Sequence, residues 1–395
     1  MLEFNPYDYE TFRDPYPTYR RLRDEMPVYH NEALNFWSLS RFADVLAAHN
    51  DWERFSSTGG VTIEGTEKDS PFLIVKDPPE HRWHRKIIGK VFTPRRIMEL
   101  EPYIRLRCGE LLDPFIGQDE FDVAEAFAVQ LPLDVISELL NIPHELRNEI
   151  HVQSDRVSQR GDTVDLDEVI GGSASLFELY LGLIQERRTN PRDDIINILL
   201  DTEVIDDEDG TTTRRMSDDE AAFRFLELGF AGHETVAKGI PNGAIAFTNF
   251  PDEKARLAAD PRLSPAAAEE ILRYDPPSQL QGRTTMTDVT LHGVTIPAGE
   301  KVMLITGSAT RDERAYPEPD RFDLAREADP STMFFGYGIH RCIGAHLARL
   351  EIRIAFEEIL ARWPNFAVDE SRAVRHVTSN VRGVQGLPLL TAGAA

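Results

Sequence analysis

Apolar residues recur at three- and four-residue spacing along much of this chain, and that spacing is the period of an α-helix. Residues 131–140 follow it closely, and the whole stretch 97–200 is predicted to be mostly helical. Ser217 and Glu220 have the spacing of a capping box, so they predict the start of a long apolar helix. The polar and acidic residues 201–220 around this start are predicted to form a solvated loop or hairpin.

Alternating apolar and polar positions, the period of a β-strand, are confined to short stretches. Two of them lie within residues 27–39 and predict a small sheet near the N-terminus, after a charged helical stretch at 19–25. A second strand region follows Arg283. Residues 56–73 are rich in Ser, Thr and Gly and show little periodicity, which predicts a loop.

Composition narrows the class of protein. The chain has 395 residues, of which 41% are hydrophobic, enough for a sizeable core. Its formal net charge of −24 argues against nucleic acid as a partner, because nucleic-acid binders present basic faces. Two cysteines, Cys108 and Cys342, are too few for a disulfide framework and suit a reducing compartment. The first residues lack a basic flank and an apolar run, so we expect a cytoplasmic protein with no signal peptide or membrane anchor.

The stretch 335–344 concentrates the chemistry of the chain. Cys342 ends a tight glycine turn there, and apolar residues at helical spacing follow it. At a helix N-terminus, the helix dipole and free N–H groups favour the thiolate, which is a good axial ligand for haem iron. Phe335 is predicted to pack near the sulfur and exclude water. A buried structural cysteine in a glycine-rich turn is the alternative.

This stretch resembles the haem-binding loop of the cytochromes P450, Phe-x-x-Gly-x-x-x-Cys-x-Gly, and every fixed position of that pattern is met. The resemblance implies that Cys342 is the ligand of the haem iron and that backbone N–H groups after it bond the sulfur. It also implies that the cofactor is bound by the residues of this loop, which are Phe335, Gly336, His340, Cys342 and Gly344.

A second motif places two basic side chains, His81 and Arg85, four residues apart on one face of a helix that an Asp-Pro-Pro turn opens. By itself the pair fits a solvated basic face. In the cytochromes P450, however, the matching His-x-x-x-Arg holds the haem propionates. The resemblance adds Arg283 and His340 as further propionate donors. Thr93-Pro94 is predicted to end this helix.

A third motif lies in the long helix, where Ala231 and Gly232 precede His-Glu-Thr. The two small residues would let a large group approach the backbone. A threonine in mid-helix can bond back to the carbonyl one turn earlier, so a helix kink without chemistry is the alternative. The motif resembles the oxygen-activation sequence Ala-Gly-x-Glu/Asp-Thr of the cytochromes P450. The resemblance makes Ala231 a haem contact and makes Glu234 and Thr235 the catalytic residues that deliver protons.

A fourth motif pairs Glu270 with Arg273 on one helical face. Such pairs are usually solvated, but the matching Glu-x-x-Arg of the cytochromes P450 is buried and is joined by a later arginine. The resemblance assigns that third position to Arg321 and gives the group a structural role.

These motifs follow the family order over nearly the whole chain, so the chain is identified as a member of the cytochromes P450. The resemblance implies one domain over residues 1–395, with the mainly α cytochrome P450 fold and a small β-rich lobe. It implies haem b as the cofactor. The reaction it implies is monooxygenation, in which one oxygen atom of O2 enters a small apolar or amphipathic organic substrate. We expect the protein to be a monomer.

The chain has no flavin or iron–sulfur motif, and two cysteines cannot hold an ordinary cluster. Electrons are therefore expected from a separate ferredoxin and its NAD(P)H-dependent reductase. A basic patch in this acidic chain is predicted to steer an acidic ferredoxin to the cysteine side of the haem. Its members are Arg82, Lys86, Arg95, Arg96, Arg341 and Arg349.

Three other activities stay open at this point: a peroxygenase that uses hydrogen peroxide, a haem-thiolate binding protein without turnover, and a thiolate isomerase or coupling enzyme on the same fold. The Glu-Thr pair argues against the first, because peroxide brings its own protons and electrons. The substrate is not identified. Its pocket is predicted to be lined by residues 58–74, 150–180 and 278–282 and by the turn near Val384.

Overall fold

The computed structural model describes residues 2–65, 70–157, 166–205, 210–327, 331–375 and 377–392. Helices carry most of these residues, and the strands are short. The α-helices are α1 (Tyr9–Arg13), α2 (Tyr16–Glu25), α3 (Phe42–Asn50), α4 (Glu80–Ile88), α5 (Pro94–Met98), α6 (Glu101–Leu112), α7 (Gln130–Leu139), α8 (His144–Val157), α9 (Leu166–Thr189), α10 (Ile195–Asp201), α11 (Asp218–Asn249), α12 (Pro251–Ala259), α13 (Ser264–Tyr274), α14 (Thr306–Ala309) and α15 (Ala345–Arg362).

The strands form one larger sheet, a smaller sheet and two hairpins. They are β1 (Val28–Asn31), β2 (Phe36–Leu39), β3 (Phe55–Ser56), β4 (Glu120–Asp122), β5 (Val204–Ile205), β6 (Thr213–Arg214), β7 (Leu280–Thr285), β8 (Val289–Leu291), β9 (Val294–Ile296), β10 (Lys301–Ile305), β11 (Ala367–Val368) and β12 (Pro388–Leu390). The expected mainly α fold with a small β-rich lobe is confirmed.

The larger sheet has the order β1-β2-β10-β7-β3. Its pairs are antiparallel except β2 with β10, which run parallel. The predicted N-terminal strands are therefore present, but their sheet is completed by β7 and β10 from more than 200 residues later in the chain. In this register Arg283 on β7 pairs with Val302 on β10, and its side chain is buried.

The core surrounds α11, a helix of 32 residues that is buried over most of its length. Its start is the predicted capping box, in which Ser217 and Glu220 each accept a backbone N–H from the other. Further along, α11 crosses α15 at two glycines. A Cβ at Gly243 would come within 2.6 Å of Phe356, and one at Gly239 within 3.2 Å of Ile352. The helix backbones can approach closely there because neither glycine carries a side chain.

Two hairpins predicted from the sequence are present. The acidic connector contains the hairpin of β5 and β6, and its residues 206–209 lie outside the described part of the chain. β8 and β9 form the hairpin predicted after Arg283. Among the helices that the structure describes, none is both long and apolar enough to cross a membrane.

The expected end of α4 at Thr93-Pro94 is wrong. α4 ends at Ile88, and Thr93 instead caps the next helix, with its hydroxyl accepting from the backbone N–H of Arg96 at 3.4 Å. The physical reason is that proline at the first helical position loses no hydrogen bond, since that N–H would have no partner within the helix.

The expected third member of the Glu270 group is also wrong. Arg326, not Arg321, reaches Glu270, with its Nε 3.2 Å from Oε1. Arg321 points outward, with 55% of its side chain exposed, and contributes only its backbone carbonyl to Arg273. We call Glu270, Arg273 and Arg326 the Glu270 cluster. Glu270 and Arg273 are nearly fully buried, as the resemblance implied.

Candidate active site

The loop before α15 is held by its own backbone. Cys342 donates its N–H to the carbonyl of Phe335 at 2.9 Å, which closes the glycine-rich stretch into a tight turn. Gly338 adopts φ +67°, and a Cβ there would overlap the backbone oxygen of His49. A side chain at this position would therefore be both strained and blocked. The glycine is required for the loop to lie against α3.

The Cys342 thiol lies just before the start of α15, as predicted, with Gly344 as the N-cap. The Gly344 N–H bonds the sulfur and lowers the pKa of the thiol, and nearby arginines add to this effect. Burial has the larger influence, so the pKa of Cys342 is raised overall. The side chain nevertheless keeps accessible surface, so protein surrounds it without covering it. Dipole and N–H groups alone therefore do not yield the expected thiolate, but a coordinated metal ion deprotonates a thiol outright.

Three arginine side chains make contacts that hold the cysteine loop in place. Arg85 on α4 donates to the backbone carbonyl of Arg341, the residue before the cysteine. Arg341 in turn donates to the Thr332 hydroxyl at 2.8 Å. The Arg349 guanidinium lies over the Phe335 ring, 4.6 Å from its centroid, and forms an ion pair with Glu269. Phe335 is buried, which agrees with its expected role in excluding water.

The middle of α11 carries the third motif without a break in the helix. Ala231 is exposed, which is unusual in so buried a helix, whereas Glu234 and Thr235 are half-buried. Gly232 was expected to let a large group approach the helix backbone, but it contacts another helix instead. A Cβ there would come within 2.9 Å of Ile136 on α7, so its small size lets α7 pack against α11 rather than admitting a ligand.

Ala231 and Cys342 both precede the close crossing of α11 and α15. Ala231 lies eight residues before Gly239, which is about 12 Å along the helix. Cys342 lies ten residues before Ile352, the side chain that Gly239 meets. Both small side chains retain accessible surface. Both residues therefore lie on the same side of the crossing, and each presents accessible surface there.

Four basic side chains from three parts of the chain come together at the cysteine loop. We call them the cationic cluster; they are His81 and Arg85 on α4, Arg283 on β7 and His340 in the cysteine loop. The rings of His81 and His340 lie 4.3 Å apart between centroids. Among the residues that the structure describes, the Nε2 atoms of both histidines are buried without a hydrogen-bond partner. The structure thus brings together all four residues that the sequence predicted.

The electrostatics of the cationic cluster favour binding of an anion. Burial, followed by the neighbouring charges of His340 and Arg85, lowers the pKa of His81 to about 3. Burial also lowers the pKa of Arg283 to about 10 and lowers the pKa of His340. Clustered cations disfavour one another's protonation, and a carboxylate among them would reverse this effect. The cluster therefore fits the two propionates of haem b, and the cysteine fits its iron.

Three residues that interact with this site were missed by sequence reasoning. Asp77 accepts from the Ser56 hydroxyl at 2.6 Å, and one of its oxygens lies 4.0 Å from His340 Nε2. Because Asp77 stands in the turn that opens α4, four residues before His81, the sequence alone could have indicated that it lies near this histidine. His49 Nδ1 lies 3.4 Å from an Arg283 nitrogen, and nothing in its local sequence indicated this contact. Glu227 shares a helix face with Ala231, four residues away, which was a further signal.

Known proteins resemble this chain over nearly its full length. The sequence profile described as Cytochrome P450 matches residues 262–382. The chain is 40% identical to the putative cytochrome P450 123 of Mycobacterium tuberculosis, over 98% of this chain and 96% of that protein. It is 38% identical to the vitamin D(3) 25-hydroxylase of Pseudonocardia autotrophica, over 96% and 94% respectively. The solved structure of cytochrome P450 CYP109Q5 from Chondromyces apiculatus is similar with a TM-score of 0.89, at 32% identity, covering 100% of this chain and 99% of that one.

Proposed function

This chain belongs to the cytochrome P450 family and is a monooxygenase with haem b as its cofactor, and on that premise we propose that Cys342 is the ligand of the iron. The observation that carries the proposal is the accessible thiol of Cys342, bonded by the Gly344 N–H and adjacent to the cationic cluster. The other cysteine, Cys108, is fully buried in the main core, and burial raises the pKa of its thiol strongly.

When bound, the haem would supply the chemistry by which one oxygen atom of O2 enters the substrate, and a thiolate ligand such as Cys342 would favour O–O cleavage. The protein supplies position and electrostatics. The Gly344 N–H stabilises negative charge on the sulfur, and Phe335 under the Arg349 guanidinium shields the loop from water. Gly336 and Ala231, which lack large side chains, would leave space for the cofactor.

His81, Arg85, Arg283 and His340 neutralise the two propionates in this proposal. Burying two carboxylates without partners would be costly, and charge-assisted hydrogen bonds from arginine and histidine offset that cost. The support is that, in the described part of the chain, neither histidine Nε2 makes a hydrogen bond, and that the pKa of His81 is depressed; a carboxylate would correct both.

Glu234 and Thr235 deliver protons to oxygen as it is reduced. Both are half-buried on α11, within a helical turn of the exposed Ala231. A carboxylate can exchange protons with solvent, and a hydroxyl can pass them on over a short distance. This division of labour makes different predictions for the two residues.

Thr235→Ala should keep NADPH consumption but release hydrogen peroxide in place of product, with product formation reduced by about 10- to 10³-fold. Glu234→Gln should instead slow NADPH consumption and product formation together, because the proton carrier itself is lost. NADPH, peroxide and product are measured in parallel for each variant with one substrate. Full coupling in Thr235→Ala would show that its hydroxyl takes no part in the relay.

The substrate in this proposal is a small apolar or amphipathic molecule. Support comes from the relative named a vitamin D(3) 25-hydroxylase and from apolar residues at the predicted pocket walls, such as Leu73 and Val384. Residues 66–69 and 158–165 of those walls lie outside the described part of the chain. A ligand screen that follows the Soret band would identify candidates, and tight binding of charged polar molecules alone would contradict the proposed class.

Redox partners are implied by the fold, and we assign the role to a ferredoxin and its NAD(P)H-dependent reductase. Arg82 and Lys86 are exposed on α4, four residues apart, and Arg96 is half-buried at the start of α5. Arg95 and Arg349 of the predicted patch are paired with Glu99 and Glu269, so they contribute less net charge. Arg82→Glu should slow reduction by an acidic ferredoxin, most at low salt. Rates that are equal at low and high salt would contradict electrostatic steering.

The proposed ligand is tested by the absorption spectrum of the reduced carbon monoxide complex. Wild type and Cys108→Ser should show the long-wavelength Soret band that thiolate ligation produces, and Cys342→Ser should lack it. Retention of the band in Cys342→Ser would contradict the assignment.

Product formed with hydrogen peroxide alone, at the rate seen with ferredoxin, reductase and O2, would favour a peroxygenase instead. We also propose one domain and a cytoplasmic monomer, which size-exclusion chromatography with light scattering would test for oligomeric state.

A further inference from the structure

Residues 70–75, which we call the wall segment, are attached to α11 by an unusual contact. The Glu227 carboxylate accepts two backbone N–H groups from this segment, from Leu73 to one oxygen and from Ile74 to the other, each at 2.9 Å. These N–H groups stand at the start of a short 3₁₀ turn, Leu73–Val75, and would have no partner within that turn. One side chain of α11 thus holds two successive residues of the wall segment.

Arg224 adds a second attachment one turn earlier on the same helix. Its guanidinium donates to the backbone carbonyl of Pro71. A second nitrogen, NH1, lies 3.1 Å from the Glu227 carboxylate, as an ion pair outside hydrogen-bonding geometry. Arg224 is only 1% exposed; burial lowers the pKa of its guanidinium, and Glu227 is the first of three acids that raise it. The pair therefore holds the wall segment through both a carbonyl and two N–H groups.

Aromatic side chains continue the attachment beyond α11. The Phe72 ring packs edge-on against Phe223 at 6.2 Å, and Phe223 lies 4.5 Å from Phe177 on α9. The side chain of Leu73 is itself buried. The wall segment therefore packs against α11 through Phe72 as well as through its backbone, and its backbone can shift only if the contacts to Glu227 and Arg224 are broken.

Glu227 also faces the candidate active site. It lies four residues before Ala231, so the two share a face of α11. Its charge acts on Arg85 of the cationic cluster and partly offsets the lowering of the arginine pKa by burial. Both carboxylate oxygens are nonetheless occupied by the wall segment and Arg224, which leaves little capacity to bind a substrate or carry a proton.

We propose that Glu227 is a positioning residue that fixes the wall segment beside the Ala231 side of the haem, and thereby limits which molecules reach the iron. The part of this inference that concerns the iron rests on the proposed function. The attachment itself does not, so the two parts can be tested separately. Loss of the Glu227 charge should free the wall segment without altering the iron or its ligand.

Hydrogen exchange of the full chain tests the attachment. In Glu227→Gln, the peptide that contains Leu73 and Ile74 should exchange about 10- to 100-fold faster than in wild type, because two charge-assisted hydrogen bonds are weakened. Asp219→Asn is the matched control. It removes one negative charge from an exposed position in the first turn of the same helix and should leave this peptide unchanged. Exchange within about twofold of wild type in Glu227→Gln would overturn the proposal.

Ligand access to the iron tests the consequence. Phenylimidazole should associate about 3- to 10-fold faster with Glu227→Gln than with wild type, whereas rebinding of carbon monoxide, which is small enough to pass a fixed wall, should be unchanged. Arg224→Lys, which keeps the charge but shortens the reach to Pro71, should show the same pattern more weakly. Equal acceleration of both ligands would place the effect at the iron and overturn the proposal. If wild type bound neither ligand, the proposed function would fail, and hydrogen exchange would still decide whether Glu227 holds the segment.

Discussion

Two clusters of buried basic side chains in this protein use their donors in opposite ways. In the Glu270 cluster, Arg273 donates to both Glu270 oxygens and to three backbone carbonyls, so each of its five donors has a partner. In the cationic cluster, Asp77 is the nearby carboxylate, and the Nε2 atoms of His81 and His340 have no hydrogen-bond partner among the described residues.

This difference distinguishes a structural cluster from a binding site. In the sequence alone, the His81–Arg85 pair and the Glu270–Arg273 pair both look like solvated side chains on one face of a helix. A cluster whose donors are all bonded to protein groups stabilises the fold and has no remaining capacity for a ligand. A cluster whose buried polar atoms lack hydrogen bonds to protein groups is explained by an anion that binds there. The cytochrome P450 cofactor supplies such an anion, since it carries two propionates.

The largest expected effect comes from removing the acid of the Glu270 cluster. Glu270→Ala leaves Arg273 and Arg326 buried without their acid, and the free energy of unfolding should fall by about 3–5 kcal/mol. Denaturant unfolding of haem-free and haem-loaded protein measures this loss, which should be similar in both forms. Arg321→Ala, the residue expected from the sequence, is the control and should cost less than about 0.5 kcal/mol because its side chain is exposed. The reverse order of the two losses would restore the original assignment.

That control also shows how far sequence reasoning extends. The glycine loop, the capping box at Ser217 and the start of α4 were predictable because each depends on residues within one or two turns. The choice between Arg321 and Arg326 was not, because both stand within reach on one irregular stretch and only the path of the backbone decides which points inward.

Contacts between distant segments were likewise beyond local reasoning. Asp77 meets Ser56 and His340, and Glu227 meets Leu73, across at least 21 residues in each case. The larger sheet draws β7 and β10 to the N-terminal strands for the same reason. Family resemblance supplied the cationic cluster, whereas the contacts that Asp77 and Glu227 make became visible only in three dimensions.

The second expected effect is a difference between the two clusters in how a mutation changes stability and haem affinity. Arg283→Met removes a buried charge and keeps a similar shape, so the stability of the haem-free protein should change little or increase. Its affinity for haem should fall by about 10- to 100-fold, since charged hydrogen bonds to a propionate are lost. Arg273→Met should do the opposite, with a large loss of stability and unchanged haem affinity in the folded fraction. Haem titration and unfolding of both variants decide the question, and parallel losses would show that the clusters do not differ.

A smaller effect concerns pH. The pKa of His81 is about 3 in the folded protein, because burial, His340, Arg85 and His84 lower it more than Asp77 raises it. An unfolded chain has a histidine pKa near 6.5, so it takes up a proton first as the pH falls, and the folded state loses stability from about pH 6.5 downward. Between pH 7 and 5, haem-free wild type should lose about 1–2 kcal/mol more than His81→Phe. Identical pH profiles would mean that the pKa of His81 is not lowered in the folded protein and that the cluster does not disfavour its protonation.

The most direct test of the central claim compares haem with its dimethyl ester, in which both propionates are uncharged. Wild type should bind haem about 10- to 100-fold more tightly than the ester. In the double variant His81→Phe, Arg283→Met, the preference for haem over the ester should fall by at least about threefold, because two of the four groups that distinguish them are gone. A preference for haem that is as large in the double variant as in wild type would contradict the assignment of the cationic cluster to the propionates.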